Sequence, residues 1–209
     1  GPAAAAACSK MRSRSAPARR AASSLTRLDT RTLSSRLTTE ACDMMSRMRY
    51  RRELAYDAPP EEVFAMLADP AFRERVGAAQ DVVSIDVTLT PAGAGAGFTL
   101  VSDQVQNTAG LPAIAKKIAG DTTQAVVRES WADTSSGTIE ITAPGKPTKA
   151  TGTIRLTAAG TGTSYVQELD VVVKVPLIAG KLEKLMADNI DAGLTTEHSV
   201  GVAWLKGEH

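Results

Sequence analysis

The stretch from Asp81 to Val175 alternates between apolar and polar residues, and this pattern constrains the fold more than any other feature of the chain. Ile85, Val87 and Leu89, for example, are separated by single polar residues. Successive side chains of a β-strand point to opposite faces, so a period of two predicts strands with one buried face. Six such stretches follow one another. Strands that are joined in sequence by short turns predict an antiparallel meander.

A seventh strand and two short helices are predicted before the meander. Met48–Asp57 alternates in the same way as the later strands. Pro60 then marks the start of a helix, because proline suits the first helical position and the two glutamates after it interact favourably with the helix dipole. Asp69-Pro70 ends this helix, and Ala71–Val76 is predicted as a second short helix.

A long helix closes the chain. Pro176 ends the last strand and opens a helical stretch to about Lys206. At 100° per residue, one stripe of this helix holds Ile178, Leu182, Met186, Asn189, Gly193, Glu197, Val200 and Trp204. The pattern indicates a single amphipathic helix that covers a large surface. The sequence therefore predicts an α+β fold in which an antiparallel sheet packs against a long C-terminal helix.

Charge is divided unevenly between two segments of the chain. Residues 1–47 carry nine lysines and arginines against three acidic residues, a net charge of +6. Residues 48–209 carry 15 basic and 20 acidic residues, a net charge of −5. The basic segment has no aromatic residue and cannot bury enough apolar surface to offset its chain entropy. We predict a disordered basic extension over 1–47 and a folded domain over 48–209.

Three alternatives account for the extension. An arginine- and serine-rich segment with few acids is typical of a transit peptide, and a basic arm can also bind nucleic acid or a membrane surface. The interpretation we favour is that residues 1–47 are not part of the native protein, since ordered-looking sequence begins at Met48. The acidic balance of 48–209 argues against nucleic-acid binding by the folded domain.

Cysteine and histidine are scarce, which excludes several kinds of site. Cys8 and Cys42 both lie in the extension, and the only histidines are His198 and His209. The predicted domain therefore has no disulfide, thiolate metal site or cysteine nucleophile, and a multi-histidine metal site or Ser-His-Asp triad is not expected. No apolar run approaches the roughly 18 residues of a membrane span. The sequence predicts no metal, no cofactor and a cytoplasmic location, and it does not indicate the oligomeric state.

The first strand and the helices after it carry a recognisable motif, Asp57-Ala58-Pro59-Pro60-Glu61-Glu62-Val63-Phe64 followed by Leu67-Ala68-Asp69-Pro70. This motif and the closing helix resemble the START-like superfamily, also called SRPBCC, which includes polyketide cyclases, lipid-transfer domains and pollen allergens. Within it the chain is similar to an uncharacterised family of high-GC Gram-positive bacteria. The resemblance covers residues 48–206 and implies the helix-grip fold, a curved antiparallel sheet wrapped around a long C-terminal helix, with a hydrophobic cavity between them.

The alternation of the strands and the stripe of the helix predict which side chains face that cavity. The apolar candidates are Tyr50, Leu54, Phe98, Leu100, Val127, Trp131, Tyr165, Leu169, Met186 and Ile190. For each of them, packing in the core is the alternative to ligand contact.

Polar residues in the same phase are more informative, because burying a polar group costs free energy unless it is paired. They are Arg52, Glu129, Gln167, Asn189 and Glu197. We expect some of them to fix the polar end of a mostly apolar ligand. The alternative is that Arg52 pairs with Glu129 or Glu197 as a structural contact.

Two further features carry a weaker signal. Gly110–Gly120 is long for a hairpin loop, and its apolar residues are spaced as in a helix, so it predicts either a helical lid over the cavity or a plain connection. His198 lies off the stripe of the closing helix, so we interpret it as a solvated surface residue.

Three functions are compatible with these residues. The first is a non-enzymatic binder or carrier of a small hydrophobic molecule or lipid. The second is a cyclase- or dehydratase-type enzyme that uses Glu129 or Glu197 as general acid or base in the same cavity. The third is a protein-interaction module, as in START-like cochaperones, with the cavity largely filled. Cavity volume separates the third from the other two, because below the roughly 300 Å³ of ordinary ligand pockets the two binding functions fail.

Overall fold

The computed structural model describes residues 47–93, 95 and 97–208. The predicted extension lies outside these residues, apart from Arg47. The strands are β1 (Met48–Tyr56), β2 (Ser84–Pro91), β3 (Phe98–Asn107), β4 (Thr122–Trp131), β5 (Ser136–Thr142), β6 (Thr148–Ala159) and β7 (Gly162–Val173). The helices are α1 (Pro60–Leu67), α2 (Pro70–Ala79), α3 (Ala113–Ala119) and α4 (Ala179–Leu205).

The strands form one antiparallel sheet in the order β1-β7-β6-β5-β4-β3-β2. The six strands from β2 to β7 are the predicted meander. The first strand closes the order by pairing with the last, with Met48 opposite Val171 and Tyr56 opposite Thr163. The predicted α+β class and the helix-grip arrangement are confirmed.

Local sequence explains where the two short helices begin. Pro60 is the first residue of α1, and Glu61 and Glu62 follow it in the first turn. At the start of α2, the Asp69 side chain accepts a hydrogen bond from the backbone N–H of Ala71 at 2.8 Å. Such a cap satisfies an N–H group that has no partner within the helix. The first helix therefore starts at Pro60 as predicted, whereas the second starts one residue before the predicted Ala71 and ends three residues after the predicted Val76.

The long helix α4 begins at Ala179, three residues later than predicted. Pro176 has no backbone N–H, and Leu177 adopts a left-handed backbone conformation with φ of 68°, which cannot be part of a right-handed helix. Near its other end α4 lies close to β1: a Cβ atom at Gly201 would be only 2.9 Å from a ring carbon of Tyr56. The absence of a side chain at this position lets the helix approach the sheet.

The core lies between the concave face of the sheet and the helices. Tyr165, Leu100 and Ile154 from the sheet are fully buried, as are Leu67 and Phe72 from the short helices. At one end of the sheet, three aromatic side chains pack together with ring centroids 5.3 to 6.0 Å apart, namely Phe64, Phe98 and Trp131. This end of the sheet is filled, and the space that remains lies towards the other end.

Candidate ligand-binding site

A cavity of about 280 Å³ lies between the sheet, α3 and α4. Apolar side chains line most of it, including Val127, Ile139 and Ile141 from the sheet and Met186, Ile190 and Leu194 from α4. The volume falls just below the roughly 300 Å³ at which ordinary ligand pockets begin. By the volume criterion alone, the protein-interaction module would be favoured by a small margin, so the case for ligand binding depends on the chemistry of the lining.

The cavity extends along β4. Alternate residues of that strand line it, namely Thr123, Ala125, Val127 and Glu129, and six residues of strand span roughly 20 Å. Thr123 is half-buried, whereas Glu129 is only 2% exposed. The cavity thus has an outer end at the start of β4 and an inner end at Glu129.

Arg73 occupies the inner end and binds two carboxylates. Its Nη2 donates to Oε2 of Glu129 at 2.9 Å, and its Nη1 donates to Oε2 of Glu197 at 3.2 Å. Its Nε donates to the carbonyl oxygen of Leu67 at 3.0 Å. Arg73, Glu129 and Glu197 are all buried and all line the cavity. One guanidinium group therefore joins α1, α2, β4 and α4.

Further polar groups surround this cluster. The indole Nε1 of Trp131 donates to Oε2 of Glu129 at 2.9 Å, so this oxygen accepts two hydrogen bonds. The amide Nε2 of Gln167 donates to the hydroxyl of Tyr165 at 2.5 Å. Gln167 also lines the cavity. Buried polar groups are normally paired in this way.

Burial changes the acid strength of Glu197. Loss of solvent raises the pKa of this carboxyl group, Arg73 lowers it, and the neighbouring charge of Glu129 raises it, with a net result of about 7 against an ordinary 4.5. For Arg73, burial opposes the positive charge, but Glu129 and Glu197 more than offset this and raise its pKa. Two carboxylates face one guanidinium, so the ionised cluster carries one surplus negative charge. Protonation of Glu197 removes that surplus.

Two buried oxygens beside the cluster have no hydrogen-bond partner among the described residues. They are Oε1 of Glu197 and the hydroxyl of Tyr56. Burial, and then the charge of Glu197, raises the pKa of Tyr56. An unpaired buried oxygen costs free energy. When Glu197 is protonated, its O–H group can donate a hydrogen bond at this place. This agrees with the raised pKa of the carboxyl group.

Sequence reasoning did not identify Arg73. The alternation of the strands and the stripe of α4 pointed to Glu129 and Glu197, but their proposed structural partner was Arg52, and this was wrong. Arg52 lies 3.3 Å from Oδ1 of Asp191, which also accepts a hydrogen bond from the hydroxyl of Tyr50 at 2.9 Å. The available signal was helical spacing, because Arg73, Gly77 and Gln80 share a face of α2 with buried Val76.

The predicted site residues fall into two groups in the structure. Those that line the cavity are Val127, Glu129, Gln167, Met186, Asn189, Ile190 and Glu197. Those outside its lining are Tyr50, Arg52, Leu54, Phe98, Leu100, Trp131, Tyr165 and Leu169. Most of the second group are packed in the core, and Trp131 and Tyr165 contact lining residues through the hydrogen bonds described above.

The segment that was predicted as a lid or a connection contains helix α3. Pro112 precedes the helix, and Gly120, in a left-handed conformation with φ of 88°, ends it. Leu111, Ala115 and Ile118 line the outer end of the cavity. The same side chains pack near Val173 and Leu182. Helix α3 therefore forms part of the wall around the opening.

His198 lies partly exposed outside the cavity, as expected, but its ring also contacts β1. Its ring lies 4.9 Å from the ring of Tyr56, and its Nε2 is 2.8 Å from the carbonyl oxygen of Ala55. It is half-buried and does not line the cavity. It therefore helps to hold α4 against β1.

The described residues contain no group of three or more histidine, cysteine, aspartate or glutamate side chains that could hold a metal ion. None of the helices described has an apolar stretch long enough to cross a membrane.

The fold is the helix-grip fold of START-like proteins, as comparison with solved structures shows. TTHA0849 from Thermus thermophilus is 22% identical with a TM-score of 0.53, over 75% of this chain and 98% of that one. The Zhui aromatase/cyclase from Streptomyces sp. R1128 is 15% identical with a TM-score of 0.52, over 77% and 94%. Ara h 8.0201 is 13% identical with a TM-score of 0.53, over 78% and 99%. At these identities the likeness establishes the fold alone.

Residues 51–205 match the model of the family described as "Protein of unknown function (DUF2505)". The chain belongs to this family. No curated protein matches the chain. The START-like resemblance that was predicted from the Ala58-Pro59 motif and the closing helix is confirmed.

Proposed function

We propose that the protein binds or carries a small, mainly apolar molecule in the cavity between the sheet and α4. The observation that carries the proposal is the charged cluster of Arg73, Glu129 and Glu197 at the inner end of a largely apolar space. Ligand pockets typically combine apolar walls with a few convergent polar groups. The polar end of the ligand would lie at this cluster.

The free energy needed to bury the charged cluster supports a role for it beyond packing. Burying an ion pair is often no more favourable than filling the same space with apolar side chains. Here a third charged group is added, and one carboxyl oxygen of Glu197 has no partner among the described residues. A polar group on a ligand would contribute hydrogen bonds that the protein alone does not make.

The volume indicates the size of the group that the cavity can enclose. About 280 Å³ equals the volume of about nine water molecules in the liquid. We therefore propose a compact ligand, such as a medium-length alkyl chain or a molecule of up to three rings. A bulky lipid with two acyl chains exceeds this space.

Cavity filling tests the proposal. The probe is the apolar fluorophore N-phenyl-1-naphthylamine, with Ala125→Phe as the test variant and Val126→Phe as its control. Ala125 lines the cavity, whereas Val126 is the next residue on β4 and points to the other face. We expect saturable fluorescence enhancement with the unchanged chain and the control, and binding weakened by at least about tenfold in Ala125→Phe. Equal binding by both variants would contradict the proposal, and no saturable binding would favour the protein-interaction module.

A second candidate is an enzyme that uses Glu197 as general acid or base. The raised pKa of about 7 favours this candidate, because a group that titrates near the working pH transfers protons most effectively. Glu129 is less suited, since one of its oxygens already accepts hydrogen bonds from Arg73 and Trp131.

Proton exchange into a ketone separates the enzyme from the carrier. The exchange of α-hydrogens of 2-octanone with D₂O is followed by NMR, and an enzyme would accelerate it with a midpoint near pH 7. Glu197→Gln should abolish the acceleration while N-phenyl-1-naphthylamine still binds. Absence of acceleration by the unchanged chain leaves the carrier as the supported function.

A further inference from the structure

Lysines are concentrated at one end of the domain. We call this the open end of the sheet, where β3, β5 and β7 finish and β2, β4 and β6 begin. Residues 48–209 contain eight lysines. Seven of them lie on the four segments that meet there. Helix α3 carries Lys116 and Lys117, and the β5–β6 connection with the start of β6 carries Lys146 and Lys149. Lys174 follows the end of β7, and the first two turns of α4 carry Lys181 and Lys184.

Contacts between these segments bring the lysine-bearing parts of the chain to one end of the domain, which we call the docking face. The backbone N–H of Lys174 donates to the carbonyl oxygen of Pro147 at 2.8 Å, which joins the end of β7 to the β5–β6 connection. Ala115 of α3 packs in one cluster with Val173 of β7 and Leu182 of α4. Lys146 also lines the cavity. The segments that carry the lysines therefore surround the outer end of the cavity, and Lys149 of β6 lies on the outward side of the sheet beside Glu140.

The face has a surplus of positive charge although the domain as a whole is acidic. Three of its lysines pair with carboxylates, since Lys116 lies 3.4 Å from Asp121, Lys149 lies 2.6 Å from Glu140, and Lys184 lies 2.8 Å from Asp188. The other four are Lys117, Lys146, Lys174 and Lys181. No carboxylate of the described residues forms an ion pair with any of these four.

Exposed apolar side chains occur at the same end. Three large apolar residues are exposed in the described part of the chain, and these are Val83, Ile114 and Leu177. Ile114 lies on α3, Leu177 lies between β7 and α4, and Val83 precedes β2, where its N–H bonds to Val105 near the end of β3. All three therefore lie at the open end.

Leu177 is the most unusual of the three. Its side chain is fully exposed and its backbone has φ of 68°. Both features are unfavourable for a leucine in water, because a branched side chain is strained in the left-handed region and an apolar side chain gains nothing from solvent. Strained conformations of this kind are a sign of a functional constraint. Its neighbour Ile178 packs against the cluster of Ala115 and Leu182, so the position of Leu177 is held by the fold.

We infer that this face docks on the surface of an anionic lipid bilayer, with Leu177 inserted among the headgroups and the lysines against the lipid phosphates. Basic residues near an anionic membrane attract it electrostatically, and a projecting apolar side chain adds affinity by entering the interface. The phosphate backbone of a nucleic acid would form ion pairs with the lysines, but it has no apolar region that could take up the side chain of Leu177. Docking would place the opening of the cavity against the membrane, and it requires no ligand in the cavity.

Vesicle co-sedimentation tests the inference. The probes are vesicles of phosphatidylcholine alone and of phosphatidylcholine mixed with phosphatidylglycerol. We expect the chain to bind the mixed vesicles at least about tenfold more tightly than the neutral ones, with an affinity that falls as salt is added.

Variants at the face must reduce this binding. Leu177→Asn keeps the left-handed backbone, which asparagine tolerates, and should weaken binding roughly tenfold. The double variant Lys117→Gln, Lys174→Gln should weaken it by at least about tenfold. Lys206→Gln, at the far end of α4, is the matched charge control and should bind as the unchanged chain does. Leu177→Trp should bind at least as tightly, and its fluorescence should shift to the blue on vesicles.

The outcomes separate this inference from the proposed function. Ala125→Phe should bind vesicles normally, since it alters only the cavity. Failure to bind anionic vesicles would overturn the inference and leave the cavity proposal intact. Binding that is indifferent to Leu177→Asn, or equal binding to DNA with the same dependence on lysines, would also overturn it in favour of a general polyanion site.

Discussion

Arg73 and Glu129 lie 56 residues apart in the chain and form a buried ion pair of 2.9 Å at the inner end of the cavity. The pair joins the second helix to the fourth strand. Glu197 completes it from α4 at 3.2 Å. Because a buried charge without a partner is costly, each member of this cluster depends on the others.

Removal of Arg73 should destabilise the fold strongly. Arg73→Met leaves two buried carboxylates without a cation, and the expected loss in the free energy of unfolding is about 3 to 5 kcal/mol at neutral pH. Denaturant unfolding measures it. Arg75→Met, on the exposed side of the same helix, should change stability by less than about 0.5 kcal/mol. Equal effects of the two variants would contradict the structural role of Arg73.

Glu197 should make stability depend on pH. Its pKa in the folded state is raised to about 7 from an ordinary 4.5, so the native state keeps a proton that the unfolded chain loses. The resulting stabilisation is complete below about pH 4.5 and is lost as the pH rises to about 7, with a size of about 3 kcal/mol. Glu197→Gln should remove this dependence, so its stability relative to the unchanged chain should rise between pH 4.5 and 7. Denaturant unfolding at both pH values measures the change.

An exposed carboxylate on α2 provides the control for this effect. Glu74→Gln should leave the difference between the two pH values unchanged. If Glu197→Gln and the unchanged chain had parallel pH profiles, the surplus charge of the cluster would not be titrating through Glu197.

Leu177 should be replaceable with a gain in stability. Its left-handed backbone costs about 1 to 2 kcal/mol for a leucine, while glycine adopts this conformation freely at an entropic cost of roughly 0.5 to 1 kcal/mol. Leu177→Gly should therefore stabilise the fold by up to about 1 kcal/mol in thermal or denaturant unfolding. Val83→Gly, at an exposed position without a left-handed backbone, should be neutral or destabilising. A destabilised Leu177→Gly would show that the leucine packs against the fold.

Gly152 should tolerate no side chain. A Cβ atom there would lie 1.8 Å from the carbonyl oxygen of Glu168 on the neighbouring strand β7, far inside contact distance. Gly152→Ala should therefore destabilise the fold by about 3 kcal/mol or more. Gly110→Ala, where no atom lies within 4 Å of the new Cβ, should be close to neutral in the same unfolding experiment. A mild effect at Gly152 would mean that β6 and β7 can separate at low cost.

Sequence alone predicted the strands well because alternation depends only on local geometry. Every second residue of β7 from Tyr165 to Val171 follows the predicted alternation, namely Tyr165, Gln167, Leu169 and Val171, and the structure buries all four. The start of α4 was placed at Pro176, three residues early, because proline permits a helix start, whereas the left-handed backbone of Leu177 could not be seen in its residue type.

The candidate site was predictable in part because its two carboxylates follow the local periodicity of a strand and a helix. Glu129 follows the alternation of β4, and Glu197 follows the stripe of α4, so both were found to face inwards. Arg73 lies on a helix of ten residues beside Glu74 and Arg75, and such a run of charge resembles a solvent-exposed face. Only the packing of α2 against β2 and α4 shows that this one side chain points into the cavity.

The pairing of β1 with β7 also has a consequence for synthesis of the protein. Met48–Tyr56 is made well over one hundred residues before the strand that it pairs with, and α4, which covers the sheet, is made last. The concave face and the carboxylate of Glu129 therefore remain uncovered until the residues of α4 leave the ribosome. Such long-range contacts slow folding and expose apolar surface on the way. The domain can complete its fold only after translation of α4, and a chain stalled before Ala179 would be a substrate for chaperones.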